Sequence, residues 1–135
     1  MPRRLAAILV AAILVPGCAS IGGLPCPGDQ AALVSDLLYF GASNPDREVS
    51  EAEWKDFLAV AVTPRFPEGF SSWDANGQWK SGDGDIVREN AHVLSIVHGR
   101  DESKDAAIRA LVSEYKSRFR QESVLRVSSP ACASF

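Results

Sequence analysis

The chain has 135 residues and a formal net charge of −3, with 46% hydrophobic and 23% charged residues. This length corresponds to one domain with a core of ordinary size. No basic patch runs along the sequence, which excludes the electrostatic footprint of a nucleic-acid-binding protein.

The start of the chain has the layout of a bacterial export signal. Arg3 and Arg4 precede 11 apolar residues, Leu5–Val15, and a Val15-Pro16-Gly17-Cys18 segment follows. The apolar run is too short for a transmembrane helix, which needs about 20 residues. The cysteine at its end predicts a lipoprotein, cut before Cys18 and lipidated on Cys18. The alternative is an ordinary secretory signal with an incidental cysteine.

This signal predicts the cellular location of the protein. Residues 1–17 are then the signal peptide and residues 18–30 a lipidated tether. Ala19, rather than the aspartate linked to inner-membrane retention, follows Cys18. We therefore expect a periplasm-facing protein of the cell envelope, on the outer rather than the inner membrane. Removing residues 1–17 takes away two arginines and changes the formal charge from −3 to −5. An acidic domain is poorly suited to lying on anionic lipid, so the membrane contact is the anchor alone.

Two further cysteines, Cys26 and Cys132, lie at opposite ends of the mature chain. The oxidising envelope favours a disulfide between them. Such a bridge would close a loop of about 106 residues, worth roughly 4–5 kcal/mol in the chain-entropy model. The alternative is two buried, unpaired thiols. There is no Cys-x-x-Cys pair, so we predict no metal site.

The first half of the mature chain predicts a strand and a helix. Leu33–Gly41 contains a short apolar run ended by glycine, typical of a buried strand. Ser50-Glu51-Ala52-Glu53 is a capping box. One apolar helix face follows, formed by Trp54, Phe57, Leu58, Ala61 and Val62. Pro64 ends this helix because the residue before a proline is pushed out of the helical region.

The second half predicts three strands and a second helix. A strand over Gly69–Lys80 is interrupted by a turn at Asn76-Gly77. After a turn at residues 81–85, Ile86–His98 is the longest strand. A helix begins near Ser103, with an apolar stripe of Ile108, Leu111, Val112, Tyr115 and Phe119. Val124–Val127 is the last strand, which Pro130 ends.

The order β-α-β-β-α-β predicts one α+β domain over residues 31–135 with the ferredoxin-like plait, an antiparallel sheet with two helices on one face. In this topology the first and last strands are antiparallel neighbours. Cys26 precedes the first strand and Cys132 follows the last, so the fold brings the two cysteines together.

Several segments of the mature chain resemble one family of small bacterial lipoproteins, domain of unknown function 3574. They are Leu38-Tyr39-Phe40-Gly41, Ser50-Glu51-Ala52-Glu53-Trp54, Thr63-Pro64-Arg65-Phe66-Pro67, Gly77-Gln78-Trp79, Ile86-Val87-Arg88-Glu89 and Gln121-Glu122-Ser123-Val124-Leu125-Arg126-Val127. The resemblance covers nearly all of the mature chain. It implies an exported single-domain protein and implies no activity.

Three charged residues are candidates for binding. Two prolines stiffen the segment around Arg65, whose guanidinium would either recognise a carboxylate or phosphate or form a salt bridge, with Glu89 as a candidate partner. Arg88 and Glu89 are consecutive on a strand and point to opposite faces. A buried Glu89 would suit acid–base chemistry, whereas a Glu89 paired with arginine would be structural.

The remaining candidates are polar and aromatic. Gln78 and Trp79 follow the Asn-Gly turn, and Trp79 would either stack on a ligand or cover the core edge. Gln121 joins them as a candidate. His92 and His98 share a strand face but lie about 20 Å apart, so no single metal ion can use both. We expect His98, near a strand end, to be solvated.

A last group of polar residues lies around the two predicted turns. It consists of Asp74, Asn76, Asp83 and Asp85. Turn formation accounts for these side chains without calcium.

The sequence therefore favours a ligand- or protein-binding module that carries no catalytic residue and no cofactor. Its expected partners are the membrane, through Cys18, and a small molecule, an envelope protein or a second copy on the open sheet face. The alternative is a small envelope enzyme, in which Glu89 is the acid or base and Arg65 or Arg88 holds an anionic substrate.

Overall fold

The computed structural model describes residues 25–44 and 46–134, so the predicted signal peptide and Cys18 lie outside the described residues. Six main elements form the domain. They are β1 (Ala31–Gly41), α1 (Glu51–Phe57), β2 (Ser71–Lys80), β3 (Ile86–His98), α2 (Glu102–Phe119) and β4 (Val124–Ala133). A π-helical turn, Leu58–Val62, continues α1.

The four strands form one antiparallel sheet in the order β2-β3-β1-β4. This is the predicted ferredoxin-like plait, with β1 and β4 as neighbours. Both helices contribute to the core on one sheet face. That core contains Leu38, Phe40, Leu94 and Ile96 from the sheet, Trp54 and Phe57 from α1, and Ile108, Leu111, Tyr115 and Phe119 from α2. The other face carries no helix among the residues that the structure describes.

Helix α1 begins with the predicted capping box. The Ser50 hydroxyl accepts a hydrogen bond from the Glu53 backbone N–H at 3.3 Å, and the Glu53 carboxylate accepts one from the Ser50 N–H at 3.0 Å. Arg47 reinforces the box with two hydrogen bonds of 2.7 Å to the Glu53 carboxylate. Trp54 then enters the core, as its helical spacing predicts.

Replacing Ser50 with alanine is expected to lower the free energy of unfolding by about 1 kcal/mol, because it leaves a helix N–H without its acceptor. Urea unfolding measures this loss. Ser113→Ala, an exposed change inside α2, is the control and should leave the stability within about 0.5 kcal/mol. Equal stabilities of the Ser50 variant and the wild type would show that the box contributes nothing.

Two local predictions were wrong. Asn76-Gly77 makes no turn, because Asn76 pairs with Asn90 and Gly77 with Glu89 inside the continuous β2–β3 ladder. The chain reverses between Ser81 and Asp85, where the register allows all ten residues of β2 to pair. Pro130 does not end β4, which continues to Ala133. β4 is an edge strand, and a proline is tolerated there because one side of the strand has no ladder partner.

The chain ends of the domain are joined. Cys26 and Cys132 form the predicted disulfide, with their Cα atoms 5.5 Å apart, and Cys132 lies opposite Ala32 in the β1–β4 register. Within the described ranges, neither helix has the length and apolar character needed to cross a membrane.

Candidate functional site

The β2–β3 hairpin extends beyond the rest of the sheet. Gly41, the last residue of β1, pairs with Ala91, and β3 begins five residues earlier, at Ile86. The part of the hairpin beyond this point, residues 76–90, is called the arm. It projects about 17 Å past the end of β1.

Four of the candidate residues lie on the arm. Strand alternation places Trp79 and Glu89 on the open face of the sheet, and Gln78 and Arg88 on the other face, where they are cross-strand neighbours. Arg88 and Glu89 therefore point to opposite faces, as predicted.

Glu89, Trp79 and Gln121 meet above Gly41. The Trp79 indole N–H donates to Glu89 Oε1 at 3.1 Å. A Cβ built on Gly41 would lie 3.1 Å from Gln121 Oε1 and 3.2 Å from each carboxylate oxygen of Glu89. A side chain at position 41 would push these oxygens away by a few tenths of an ångström, so glycine allows them to lie against the backbone. We call this arrangement the Gly41 cleft.

Gln121 reaches the cleft because α2 ends just before it. Arg120 adopts a left-handed conformation with φ 55°, and this terminates the helix. The Gln121 side-chain amide then donates to the Ser43 carbonyl at 2.8 Å. This bond fixes the orientation of the amide and turns its oxygen toward Gly41.

Tyr115 lies beneath the cleft and donates its hydroxyl to the Gly41 carbonyl at 3.0 Å. Burial raises the pKa of Tyr115 well above its usual value, and the charges of Glu89 and Glu53 raise this pKa further. The tyrosine therefore remains a neutral hydrogen-bond donor.

The structure does not bring Arg65 to Glu89. Arg65 donates to the Ala61 carbonyl at 2.7 Å and to Glu114 at 2.9 Å, so it ties the segment after α1 to α2. Glu89 was therefore the wrong candidate partner for Arg65, whose salt bridge is with Glu114. Neither Arg65 nor Arg88 faces the Glu89 carboxylate.

A cluster that sequence reasoning missed lies at the other end of the sheet. Asp36 is completely buried on the helix-covered face. It accepts two hydrogen bonds of 2.8 Å from Arg126 and one from the Ser128 hydroxyl. His98 Nε2 lies 2.7 Å from its carboxylate. The sequence did contain a signal for this cluster. Asp36 lies two residues before Leu38, so strand alternation places it on the same buried face.

Two opposing effects set the pKa of Asp36 in this cluster. Burial alone raises the pKa of Asp36, but hydrogen bonds from Arg126, His98 and Ser128 outweigh burial, and the pKa falls to about 2. His98 Nδ1 lies 2.7 Å from the Gly99 carbonyl. Both ring nitrogens of His98 thus lie within hydrogen-bond distance of an oxygen. The expectation that His98 is solvated was wrong, because it is 8% exposed.

A groove of about 570 Å³ lies next to this cluster, and its lining includes Arg100, Glu102, Asp105, Arg126 and Pro130. Arg126 also donates to Asp105 at 2.7 Å. Two of the charged residues that line the groove, Arg126 and Asp105, are therefore paired with each other, which fits a structural role.

The second histidine lies beside another hollow of about 300 Å³. His92 Nδ1 is 2.7 Å from the Asp74 carboxylate, and the ring stacks on Trp54 with a centroid distance of 4.6 Å. Its Nε2 is buried without a hydrogen-bond partner. In the described part of the chain, no three His, Cys, Asp or Glu side chains are grouped so as to hold a metal ion.

The open face of the sheet is apolar. A row of residues opposite one another in register crosses all four strands, formed by Trp73, Val93, Tyr39 and Leu125. Trp73 is 46% exposed and Leu125 60% exposed. Leu37 and Val127 form part of the next row. On β1–β4, the one charged residue that alternates onto this face is Glu89.

Comparison with known proteins supports the fold and names no activity. A family described as "Protein of unknown function (DUF3574)" matches residues 35–135. No curated protein matches the chain by sequence.

Two similar solved structures have the same fold. A phage SAM lyase in complex with S-methyl-5'-thioadenosine is 21% identical, with a TM-score of 0.57, over 75% of this chain and 90% of that one. CutA from Synechococcus elongatus PCC7942 is 19% identical, with a TM-score of 0.55, over 77% and 80% of the two chains. At these identities the likeness shows the ferredoxin-like fold alone.

Proposed function

The chain belongs to the DUF3574 family, and we propose that it is a lipid-anchored binding module of the cell envelope whose open sheet face pairs with a second copy. The lipid is attached at Cys18, and the domain faces the periplasm, from the outer rather than the inner membrane. The observation that carries the proposal is the apolar row Trp73, Val93, Tyr39 and Leu125, in which Val93 is buried while Trp73 and Leu125 at the two ends are exposed.

The anchor is supported by the sequence and by the chemistry of the domain. The charged start, the short apolar run and Cys18 have the layout of a lipoprotein signal. A disulfide between Cys26 and Cys132 is typical of an oxidising compartment. The formal charge of −5 after residue 17 favours a tethered domain over one lying on anionic lipid.

A second copy fits the open face by charge. The acidic character of the chain resides elsewhere, since Glu89 is the single charged residue among the strand residues on this face. Two such faces can meet without desolvating other charges, which would be costly in an interface core. An unrelated partner would need a matching uncharged surface, and an identical copy has one by construction.

A second copy also fits by area. Four strands spaced about 4.8 Å apart and about ten residues long cover roughly 600 Å² of flat surface. Side chains standing out from the sheet raise the accessible area toward the ~800 Å² per partner of a standard interface. Exposed Trp73 and Leu125 would supply its anchoring contacts.

Cross-linking in native membranes tests the pairing. Ser95→Cys places a thiol on the open face of β3, two residues from Val93, and a bis-maleimide should then join two copies of the full chain. Adding Leu125→Arg should abolish the cross-linked dimer, because it buries a charge at the interface. The matched control is Val60→Arg, an equally exposed apolar site on the π-helical turn, and it should leave the dimer unchanged.

Two results would contradict the pairing. One is an equal yield from Ser113→Cys, on the exposed surface of α2. The other is a cross-linked product of the wrong mass for two copies, which would mean a different occupant. The anchor has its own test, since Cys18→Ser should move the protein from the membrane fraction to the soluble fraction.

A further inference from the structure

The hollow beside His92 lies on the helix side of the sheet, between the β2–β3 hairpin and the segment that connects β1 to α1. Its volume is about 300 Å³, at the small end of the range for sites that bind small molecules. Its polar lining consists of Glu48 from the connecting segment, Asp74 and Asn76 from β2, and Asn90 and His92 from β3. Strand alternation turns these strand residues away from the open face and its apolar row.

The lining of this hollow is acidic. Asp74 and Glu48 both border it, and no lysine or arginine does. Among the residues that the structure describes, neither carboxylate forms an ion pair with a lysine or an arginine. Asp74 contacts His92, and Glu48 accepts one long hydrogen bond, of 3.4 Å, from the Asn90 amide. A cation in the hollow would therefore meet two carboxylates that have no cationic partner of their own, whereas an anion would be repelled.

His92 gives an independent indication of a ligand. The residue is 8% exposed, its ring stacks on Trp54, and its Nδ1 lies 2.7 Å from the Asp74 carboxylate. Its Nε2 is the one buried side-chain polar atom that has no hydrogen-bond partner in the described part of the chain. Buried polar atoms of folded proteins nearly always have a partner, so an unpaired one calls for a bound group. One wall of the hollow thus has hydrogen-bonding capacity that the protein does not use.

We propose that this hollow binds a small organic cation with N–H donors, an alkylammonium, held by the carboxylates of Asp74 and Glu48 against the imidazole of His92. The side-chain oxygens of Asn76 and Asn90 provide further acceptors in the same lining. A metal ion fits less well, because no three His, Cys, Asp or Glu side chains in the described ranges are grouped to hold one. The proposal adds a ligand to the pairing of two copies and does not depend on that pairing.

The imidazole of His92 gives a direct readout, because the chain has only two histidines. The full-length protein is inserted in lipid nanodiscs, and the ring resonances are followed by NMR, with those of His92 assigned by their loss in His92→Gln. Titration with 1,4-diaminobutane at neutral pH should shift the His92 resonances saturably. Those of His98, about 20 Å away along β3, should stay in place and serve as the internal reference. The neutral analogue 1,4-butanediol and the anionic analogue succinate should shift neither histidine.

Three variants change the charge of the hollow in both directions. Asp74→Asn and Glu48→Gln each remove one carboxylate and should weaken diamine binding by about tenfold. Asn76→Asp adds a third carboxylate and should tighten binding severalfold. The matched control is Asp83→Asn, which removes an exposed carboxylate in the turn after β2 and should leave the affinity unchanged. Circular dichroism and thermal melting confirm that each variant is folded.

Four results would overturn the proposal. They are no saturable shift of His92 up to about 100 mM diamine, an equal shift with 1,4-butanediol, a loss of affinity in Asp83→Asn as large as in Asp74→Asn, and a saturable shift with calcium chloride but not with the diamine. The hollow and the apolar row lie on opposite faces of the sheet, so Leu125→Arg should abolish cross-linking and leave diamine binding intact. The two proposals can therefore fail separately.

Discussion

Replacing Asp36 with asparagine is expected to lower the free energy of unfolding by roughly 3–5 kcal/mol. The carboxylate is completely buried and contacts both Arg126 and His98. Asparagine has nearly the same shape but no charge, so Arg126 and His98 lose the anion that they share, and Arg126 keeps only its contact with Asp105. The expected unfolding of this variant at a much lower urea concentration gives the measurement.

The control for this experiment is an ion pair of the same type on the surface. Asp56 contacts Arg118 at 2.6 Å, and both side chains are partly exposed. Asp56→Asn should cost less than about 1 kcal/mol. Similar losses in the two variants would show that burial adds nothing to the Asp36 cluster.

The pKa of Asp36 predicts how the free energy of unfolding depends on pH. The pKa of Asp36 in the folded protein, about 2, is below the ordinary value of 3.8. Its contribution is therefore complete above about pH 4 and is lost as the pH falls toward 2, an effect of about 2 kcal/mol. Asp36→Asn should remove this part of the acid dependence. An unchanged slope between these pH values in the variant would contradict the assignment.

Removing the disulfide is the second large effect. Replacing both Cys26 and Cys132 with serine is expected to lower the free energy of unfolding by about 4–5 kcal/mol, because the unfolded chain is no longer closed into a loop. The two cysteines are separated by 106 positions, nearly the whole domain. Urea unfolding of the double variant measures the loss.

Reduction gives an independent check. Dithiothreitol should destabilise the wild type to about the level of the double variant, and it should not affect the double variant. If the reductant leaves the wild-type midpoint unchanged while free thiols become detectable, the bridge is not a source of stability.

Much of the fold was predictable because local and global signals agree. The capping box, the stripe headed by Trp54 and the continuous apolar run of β1 each identify one element, and their order leaves few topologies. The pairing of Cys26 with Cys132 followed from the same order. The turn predicted at Asn76-Gly77 was wrong because strand pairing along the whole hairpin, rather than the local dipeptide, determines the position of the turn.

The candidate site was only partly predictable, because contacts between distant segments carry no local signal. Glu89 and Trp79 lie close on one hairpin, and their meeting follows from strand alternation. Gln121 joins them only through the left-handed end of α2 at Arg120. The Asp36 cluster combines side chains from β1, β3 and β4. Its contacts can be identified only once the pairing register of these three strands is known.

The junction of Cys26 with Cys132 also has a mechanical consequence. A pull arriving along the chain from the residues before Cys26 does not load β1 alone, because the disulfide passes part of it to the end of β4. These two strands are paired over ten residues, from Ala31 with Ala133 to Phe40 with Val124. A load that enters at Cys26 is therefore shared between the two strands of this ladder, which are held together by ten paired positions and one covalent bond.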